Sequence, residues 1–241
     1  MRYINEYMQA VILAAGRGTR LRPLTYHVPK PMVKAAGKNL IEHNLDRLPD
    51  EIDEIIFVVG YLGEQIVNHF GHEFGGRKIS YVKQQKLLGT GHAIHACREK
   101  LGERFLVMMG DDIYGFGDAE RCLGHEQCIL VREASGKFSG GRVVLDGAGK
   151  LADIIEGTHN KTFALANAAM YVLKKKFFDY DLVPVHDGAE YGLPQTIAKM
   201  ARDWPVGIEK TTDWIQVSDP ASLKRAENIL TRSEVRSKNK N

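Results

Sequence analysis

The feature that most constrains this chain is a continuous apolar run close to its N-terminus. Residues 9–15, with the sequence QAVILAA, have the length of a β-strand and carry no charged residue. An uninterrupted run of this kind is typical of a strand buried on both faces, so it predicts a central strand of a parallel sheet. Gly16-Arg17-Gly18-Thr19 interrupts the run. We therefore expect a glycine-rich turn at the carboxyl end of that strand.

Strand and helix patterns alternate along the rest of the chain. Apolar runs predict strands at 54–59, 79–83, 104–109, 127–131, 142–145, 151–155 and 164–173. Helical periodicity predicts helices at 40–48, 64–70 and 91–101. Asp219-Pro220 is an N-cap and N1 pair that begins a helix ending near Leu230. The alternation favours an α/β fold with a mostly parallel sheet covered on both faces, and closer strand spacing after about Asp118 favours antiparallel additions or a substrate-binding subregion.

The length of 241 residues suits one large domain. We expect a single domain over residues 1–230, followed by a frayed polar tail, 231–241, that lacks a hydrophobic period. No apolar run approaches the roughly 20 residues needed to cross a bilayer, and residues 1–7 lack the apolar core of a signal peptide. The sequence therefore predicts a cytoplasmic protein with no membrane partner.

The cysteines and histidines carry no metal or disulfide pattern. Cys97, Cys122 and Cys128 cannot all pair, and none lies in a CxxC spacing, so we expect buried, reduced thiols. His92 and His95 share a helix face, but no third ligand lies nearby in the sequence. They are predicted to be surface residues and not metal ligands.

Charge is unevenly distributed, although the net charge is only +3. Residues 7–41 contain no acidic residue and hold a set of basic residues: Arg17, Arg20, Arg22, Lys30, Lys34 and Lys38. The remainder of the chain is weakly acidic. A nucleic-acid binder spreads positive charge over a wide face, so this distribution instead indicates a local site for a small polyanion and no nucleic-acid partner.

The glycine-rich turn has the properties of a phosphate-binding loop. Gly16 and Gly18 allow the backbone to approach phosphate oxygens that a Cβ atom would block. Walker A is excluded because the run reads Gly18-Thr19-Arg20, and the dinucleotide fingerprint is excluded because Leu21 occupies the place of its third glycine. The prolines that follow stiffen the segment and fix where Arg20 and Lys30 point.

Residues 9–45, which include AVILAAGRGTRLRPLT and PKPMVKAAGKNLIEHNL, resemble the signature of the sugar-phosphate nucleotidylyltransferases. These uridylyl-, thymidylyl- and guanylyltransferases make nucleotide sugars. Similar segments recur at four later places: Gln84 with residues 89–93, residues 110–112, Glu156 with residues 166–171, and residues 214–217 with Asp219-Pro220. The resemblance implies a three-layer Rossmann-like fold with a nucleotide-binding part at about 8–115 and an acceptor-binding part at about 116–230.

The activity implied is attack of a sugar 1-phosphate on the α-phosphorus of a nucleoside triphosphate, with Mg²⁺ as cofactor. The resemblance implies catalytic roles for Arg20, Lys30 and Asp111, and metal ligation by Asp111 and Gln216. It implies nucleotide binding by Ala14, Ala15, Gly16, Gly18, Thr19, Gln84, Gly89 and Thr90, and acceptor binding by Gly110, Glu156 and Asn167. The amide of Gln84 and the turn at Gly89-Thr90 favour a pyrimidine, with UTP slightly ahead of dTTP.

Two positions depart from the family pattern. Gly157 stands where most members have a lysine that grips the sugar phosphate, and Gln216 stands where many have an aspartate that binds metal. Lys161 is a candidate substitute for the missing lysine. Two alternatives stay open, namely transfer to a non-sugar phosphate such as phosphocholine and a catalytically silent regulatory protein that binds nucleotide sugars. The oligomeric state also stays open, although no hexapeptide repeats occur, so the trimerisation route of longer family members is not expected.

Overall fold

The computed structural model describes residues 7–238 of the chain, with side chains to Arg232. Its strands are β1 Met8–Ala14, β2 Lys34–Ala35, β3 Lys38–Asn39, β4 Ile52–Val59, β5 Glu73–Phe74, β6 Arg77–Lys83, β7 Arg104–Met109, β8 Cys128–Ser139, β9 Arg142–Leu145, β10 Leu151–Ile155, β11 Thr158–Lys174, β12 Val183–Val185, β13 Glu190–Gly192 and β14 Gly207–Thr211. Its helices are α1 Leu40–Leu45, α2 Gly63–Phe70, α3 Gly89–His95, α4 Asp118–Leu123, α5 Leu193–Ala201 and α6 Pro220–Lys238.

One large mixed sheet forms the centre of the fold. β1 pairs in parallel with β4 and β7, and β6 pairs in parallel with β4. The long strand β11 pairs antiparallel with β7 and continues the sheet through β8 to β14. The hairpin β9–β10 joins β11 at Leu165 and Ala166. Since β7 pairs only with residues 170–174 of β11, this hairpin lies beyond the carboxyl end of β7.

Helices cover both faces of the sheet, which confirms the predicted three-layer Rossmann-like arrangement. On one face, Val11 and Leu13 of β1 belong to an apolar cluster that includes residues of α3 and α5. On the other face, Ala10 and Ile12 belong to a cluster that includes residues of α1, α2 and α4. Alternate residues of a strand point to opposite faces, so only a continuously apolar strand can bury both. This requirement explains the run at 9–15.

Several predicted boundaries differ from the structure. The helix predicted at 91–101 ends at His95 and is followed by a 3₁₀ turn at Arg98–Lys100, and the one predicted at 40–48 ends at Leu45. The strands predicted at 127–131 and 164–173 are longer, because β8 and β11 continue as a paired ribbon whose outer residues are largely exposed. An exposed ribbon lacks the apolar alternation by which strands are recognised. The structure also adds elements that the sequence patterns did not predict, among them α4, α5 and β12–β14.

The predicted end of the last helix is wrong, because α6 continues past Leu230 through residue 238. Leu230 is buried, and the residues that follow it include good helix formers such as arginine and glutamate. Residues 239–241 lie outside the described part of the chain, as do residues 1–6 of the segment tested for a signal peptide. No helix within residues 7–238 is both long enough and apolar enough to cross a lipid bilayer.

The structure confirms that the three cysteines are free thiols inside the core. Cys97, Cys122 and Cys128 are all fully buried. Burial raises the pKa of the Cys97 thiol to about 12. A hydrogen bond between Cys122 and Cys128, together with burial, raises the pKa of Cys122 well above its usual range.

We therefore expect the native protein not to react with a thiol reagent such as dithionitrobenzoate at neutral pH. The species that attacks the reagent is the exposed thiolate. Burial keeps each thiol protonated and prevents the reagent from reaching it. Absorbance should show no labelling of the folded protein and labelling of all three thiols in guanidinium chloride. Rapid stoichiometric labelling of the folded protein would contradict the burial.

Candidate active site

A large cleft of about 1610 Å³ opens where the parallel strands end. The loop after β1, residues 16–20, lines it together with Lys83 and Gln84 at the end of β6 and Asp111 just after β7. The carboxyl edge of a parallel sheet is the usual ligand site of α/β folds. The predicted phosphate-binding turn thus lies at the expected edge.

Lys30 and Asp111 form the central ion pair of this cleft. Lys30 Nζ donates a hydrogen bond to Asp111 Oδ2; the side chain of Lys30 is 12% exposed and that of Asp111 is 28% exposed. The backbone of Gly18 packs on Lys30, because a Cβ atom on Gly18 would lie 2.8 Å from Lys30 Cβ. Gly18 also has a φ of +59°, which favours glycine. The turn after β1 therefore fixes the lysine that faces Asp111.

Asp112, adjacent in sequence to Asp111, has a different environment. It is buried, and its carboxylate accepts hydrogen bonds from Trp214 Nε1 at 3.2 Å and Val217 N at 3.3 Å. Burial, and then the charge of Asp111, raise the pKa of Asp112 above its ordinary value. Asp112 therefore fastens residues 214–217 beside the site, and Asp111 is the carboxylate that lines the cleft.

Asn44 holds the loop that carries both aspartates. It is fully buried in α1, and its Nδ2 donates to the carbonyl oxygens of Met109 at 3.1 Å and Asp112 at 2.6 Å. Its Oδ1 accepts from Tyr114 N at 3.4 Å. One amide thus satisfies three backbone groups of the loop at residues 109–114. The sequence analysis missed Asn44, although an amide among the apolar residues of α1 was a usable signal.

The turn at residues 89–91 joins the two halves of the cleft. Gln84 is buried, and its Nε2 donates to Gly89 O at 3.0 Å. Leu193 N donates to Thr90 Oγ1 at 3.1 Å, and a Cβ atom on Gly89 would lie 2.5 Å from the carbonyl oxygen of Tyr191 in β13. Glycine is therefore required here because the backbone of β13 packs directly on the turn.

The opposite wall comes from the second half of the chain. Glu156 lines the cleft between β10 and β11, and Gln195 Nε2 lies 3.5 Å from its Oε1. Gly157, His186 and Glu190 also line this wall. His186 and Glu190 were missed because β12 and β13 have three residues each, which is too short for a periodic pattern. Gln195 was missed because it lies in α5, which the sequence patterns did not predict.

The structure brings together most of the predicted site residues and leaves four outside the lining of the cleft. Those that line it are Ala14, Ala15, Gly16, Gly18, Thr19, Arg20, Lys30, Gln84, Gly89, Thr90, Asp111 and Glu156. Those that do not are Gly110, Lys161, Asn167 and Gln216.

The contacts of these four residues explain why they do not line the cleft. Gly110 is buried between Leu13 and Pro31. The amide of Asn167 is engaged within β11, where Nδ2 donates to the Tyr171 hydroxyl and Oδ1 accepts from Ala169 N. Lys161 is exposed on the outer ribbon opposite Gly136.

Gln216 lies outside the cleft, and the two histidines of α3 are partly buried. Gln216 is exposed on the segment that pairs with Ile113 through Ile215. His92 lies 3.1 Å from Gln84 Nε2, and His95 packs against two phenylalanine rings, so both are partly buried and not surface residues. Within residues 7–238, no three His, Cys, Asp or Glu side chains are grouped as a metal site.

This fold and cleft define a Rossmann-like α/β protein with a glycine-rich turn at the carboxyl edge of its sheet. The chain belongs to the nucleotidyl transferase family, whose model matches residues 9–232. It is 32% identical to the bifunctional protein GlmU of Methanocaldococcus jannaschii over 225 residues, which cover 92% of this chain and 54% of that protein. The chain thus spans about half the length of such relatives.

A relative of similar length is the UTP–glucose-1-phosphate uridylyltransferase AglF of Haloferax volcanii. It is 32% identical over 204 residues, which cover 81% of this chain and 84% of AglF. Among solved structures, one described as a glucose-1-phosphate thymidylyltransferase from Bacillus anthracis superposes with a TM-score of 0.78 at 22% identity, covering 92% of this chain and 94% of that one. At that identity the likeness supports the fold alone.

The packing of β13 on Gly89 generates a prediction for two glycine-to-alanine variants. Gly76 and Gly89 have similar φ values of +78° and +88°, but a Cβ atom on Gly76 meets nothing within 4 Å. Gly76→Ala should therefore lower the free energy of unfolding by about 1–2 kcal/mol, which is the cost of an alanine in the left-handed conformation. Gly89→Ala should lower the free energy of unfolding by about 1–3 kcal/mol more than Gly76→Ala does, because the backbone of β13 must move. Urea unfolding of both variants measures the difference, and equal losses would contradict the packing.

Proposed function

We propose that this protein transfers a nucleoside monophosphate from UTP or dTTP to a sugar 1-phosphate and releases pyrophosphate. The observation that carries the proposal is the Lys30–Asp111 pair, which lies in one cleft with the phosphate-binding turn and with Glu156 on the facing wall. The name of AglF, a uridylyltransferase similar to this chain over most of both lengths, supports the same reaction.

The first half of the cleft suits a nucleoside triphosphate. Gly16 and Gly18 expose backbone N–H groups, and Arg17, Arg20, Lys30 and Lys83 supply positive charge along the same lining. A planar guanidinium forms paired hydrogen bonds with phosphate oxygens, so Arg20 would stabilise charge that develops on the pyrophosphate. Gln84 and the turn at Gly89-Thr90, which line the same cleft, would contact the base.

The chemistry is one displacement at phosphorus. An oxygen of the sugar phosphate attacks the α-phosphorus, and the bond from that phosphorus to the pyrophosphate oxygen breaks. Both reactants are anions, so catalysis consists of holding them in line and offsetting their repulsion. Lys30 and Arg20 would do so from the side of the turn, and Glu156 would orient the acceptor by accepting hydrogen bonds from sugar hydroxyls.

Asp111 provides a single carboxylate at this point of the cleft, which suits Mg²⁺ that is shared with substrate phosphates better than it suits a metal ion held by protein groups alone. Mg²⁺ is usually held by one or two carboxylates, substrate phosphates and water. Asp111 is the carboxylate that lines the cleft, and within the described residues its Oδ1 has no hydrogen-bond partner. Asp111 would hold the ion, and Gln216 would have to turn inward to join it. When bound, Mg²⁺ would offset the negative charge of the phosphates.

One screen separates the proposal from the two alternatives. Pyrophosphate release is measured for four nucleoside triphosphates against glucose 1-phosphate, N-acetylglucosamine 1-phosphate and phosphocholine, with and without Mg²⁺. Release with a sugar 1-phosphate supports the proposal. Release with phosphocholine alone supports a non-sugar acceptor. Binding of nucleotide or nucleotide sugar without release supports a regulatory protein, the alternative that Gly157 and Gln216 favour.

Asp111→Asn should lower turnover about 10²-fold or more while the fold remains intact, because it removes the charge that would hold the metal ion. The initial rate of pyrophosphate release at saturating Mg²⁺ measures the loss. Glu133→Gln is a matched control, since Glu133 pairs with Lys210 on the exposed surface, and it should keep the wild-type rate. A rate for Asp111→Asn close to that of wild type would refute the role.

UTP and dTTP should stabilise the protein more than ATP and GTP do. A pyrimidine edge would offer hydrogen-bond partners to the polar groups around Gln84 and Gly89-Thr90, and a larger purine would leave some of those groups without partners. Thermal-shift titration with the four triphosphates at equal concentration measures the preference. A shift from ATP or GTP as large as that from UTP would show that Gln84 does not select a pyrimidine.

A further inference from the structure

The facing wall of the cleft has little positive charge to hold a phosphate. From residue 116 to the end of the described chain, the lining contains the carboxylates Glu156 and Glu190 and one basic side chain, His186. The arginines and lysines of the lining all come from residues 17–83. Those cations would be occupied by a triphosphate that carries several negative charges, and Lys30 is already paired with Asp111. Within the described lining, His186 is therefore the one basic side chain of the far wall that could contact an acceptor phosphate.

His186 lies in an unusual turn at the tip of the β12–β13 hairpin. His186, Asp187 and Gly188 have consecutive positive φ values of 52°, 55° and 84°. Non-glycine residues rarely adopt this conformation, and its strain often marks functional positions. Two hydrogen bonds of 3.1 Å close the turn, from Gly188 N to Val185 O and from Ala189 N to His186 O. A glycine would satisfy this backbone at lower cost, so the imidazole at residue 186 needs a reason beyond the turn.

The base of the hairpin is anchored to both halves of the cleft. Tyr191 N donates to Leu88 O at 2.8 Å, beside the turn that faces the nucleotide. Val183 N donates to Thr196 Oγ1 of α5 at 3.1 Å. The hairpin is therefore fixed relative to the phosphate-binding turn and holds His186 at the cleft.

We propose that His186, on the wall that also carries Glu156, binds the phosphate of the acceptor. This assignment rests on the proposed function, because it gives the phosphate of that function's acceptor a hydrogen-bond partner on this wall. Lys161, the sequence-based candidate for the same task, lies on the outer ribbon away from the lining. His186 is on the wall itself.

The test compares substitutions at residue 186 by calorimetry and by steady-state pyrophosphate release. His186→Gly removes the ring without straining the turn, His186→Lys restores a cation, and His186→Gln keeps bulk and polarity without charge. His72→Gln is the matched control, because His72 is an exposed histidine outside the cleft. The probes are UTP, inorganic phosphate, and whichever of glucose 1-phosphate and N-acetylglucosamine 1-phosphate gives the faster wild-type rate.

His186→Gly and His186→Gln should weaken binding of the sugar 1-phosphate about 10- to 100-fold and raise its KM by a similar factor, as expected for loss of a charged hydrogen bond. The Kd of UTP and kcat should stay close to wild type, and His186→Lys should restore acceptor binding. If His186 had only a structural role, its substitution would weaken the binding of UTP and of the sugar 1-phosphate together, and His186→Lys would not restore either.

Two different failures can be told apart. If wild type releases pyrophosphate and His186→Gly binds the acceptor as tightly, or weakens UTP equally, the role of His186 is overturned and the proposed function stands. If wild type binds UTP but neither sugar 1-phosphate nor inorganic phosphate, and releases no pyrophosphate, both proposals are overturned.

Discussion

The parallel pairing of β1 with β7 is the constraint on which the site depends. Leu13 lies opposite Met109 in this register, so the residues that follow each strand emerge side by side. The turn at 16–20 and the loop that begins at Gly110 are therefore neighbours before any side chain contributes. The Lys30–Asp111 pair and the packing of Gly18 on Lys30 then fix a geometry that the backbone hydrogen bonds have already established.

Two adjacent aspartates have the same side chain but different surroundings, and this difference gives them different roles. Asp111 lies at the edge of the cleft and meets a cation, and Asp112 is buried against an indole and a backbone amide. A charge in such surroundings is costly unless hydrogen bonds satisfy it. Asp112 is therefore suited to holding residues 214–217 in place, and Asp111 keeps the solvent access that binding requires. Asn44 supports both by satisfying the backbone of their loop.

The sequence predicted the parts of the fold whose signals are local. The central strand, the glycine-rich turn and Asp111 follow from apolar runs and the residues that end them, and each lies where it was expected. The hairpin β12–β13 and α5 form much of the second wall, but their placement depends on contacts with residues 88–90, about 100 positions earlier in the chain. Lys161 lies outside the lining of the cleft, since its proximity in sequence to Gly157 places it on the outer ribbon opposite Gly136.

The contact between the turn at Gly89–Gly91 and β13 also limits how this protein could diversify. At Gly89 the two nearest atoms that a Cβ would meet belong to the backbone of Tyr191, at 2.5 and 2.8 Å, so a second change in a side chain could not make room for a larger residue. Gly89 is therefore closed to gradual substitution. Changes to the lining can instead arise among its exposed residues, at the tip of the hairpin and along residues 156–158, without disturbing the contact between the two walls.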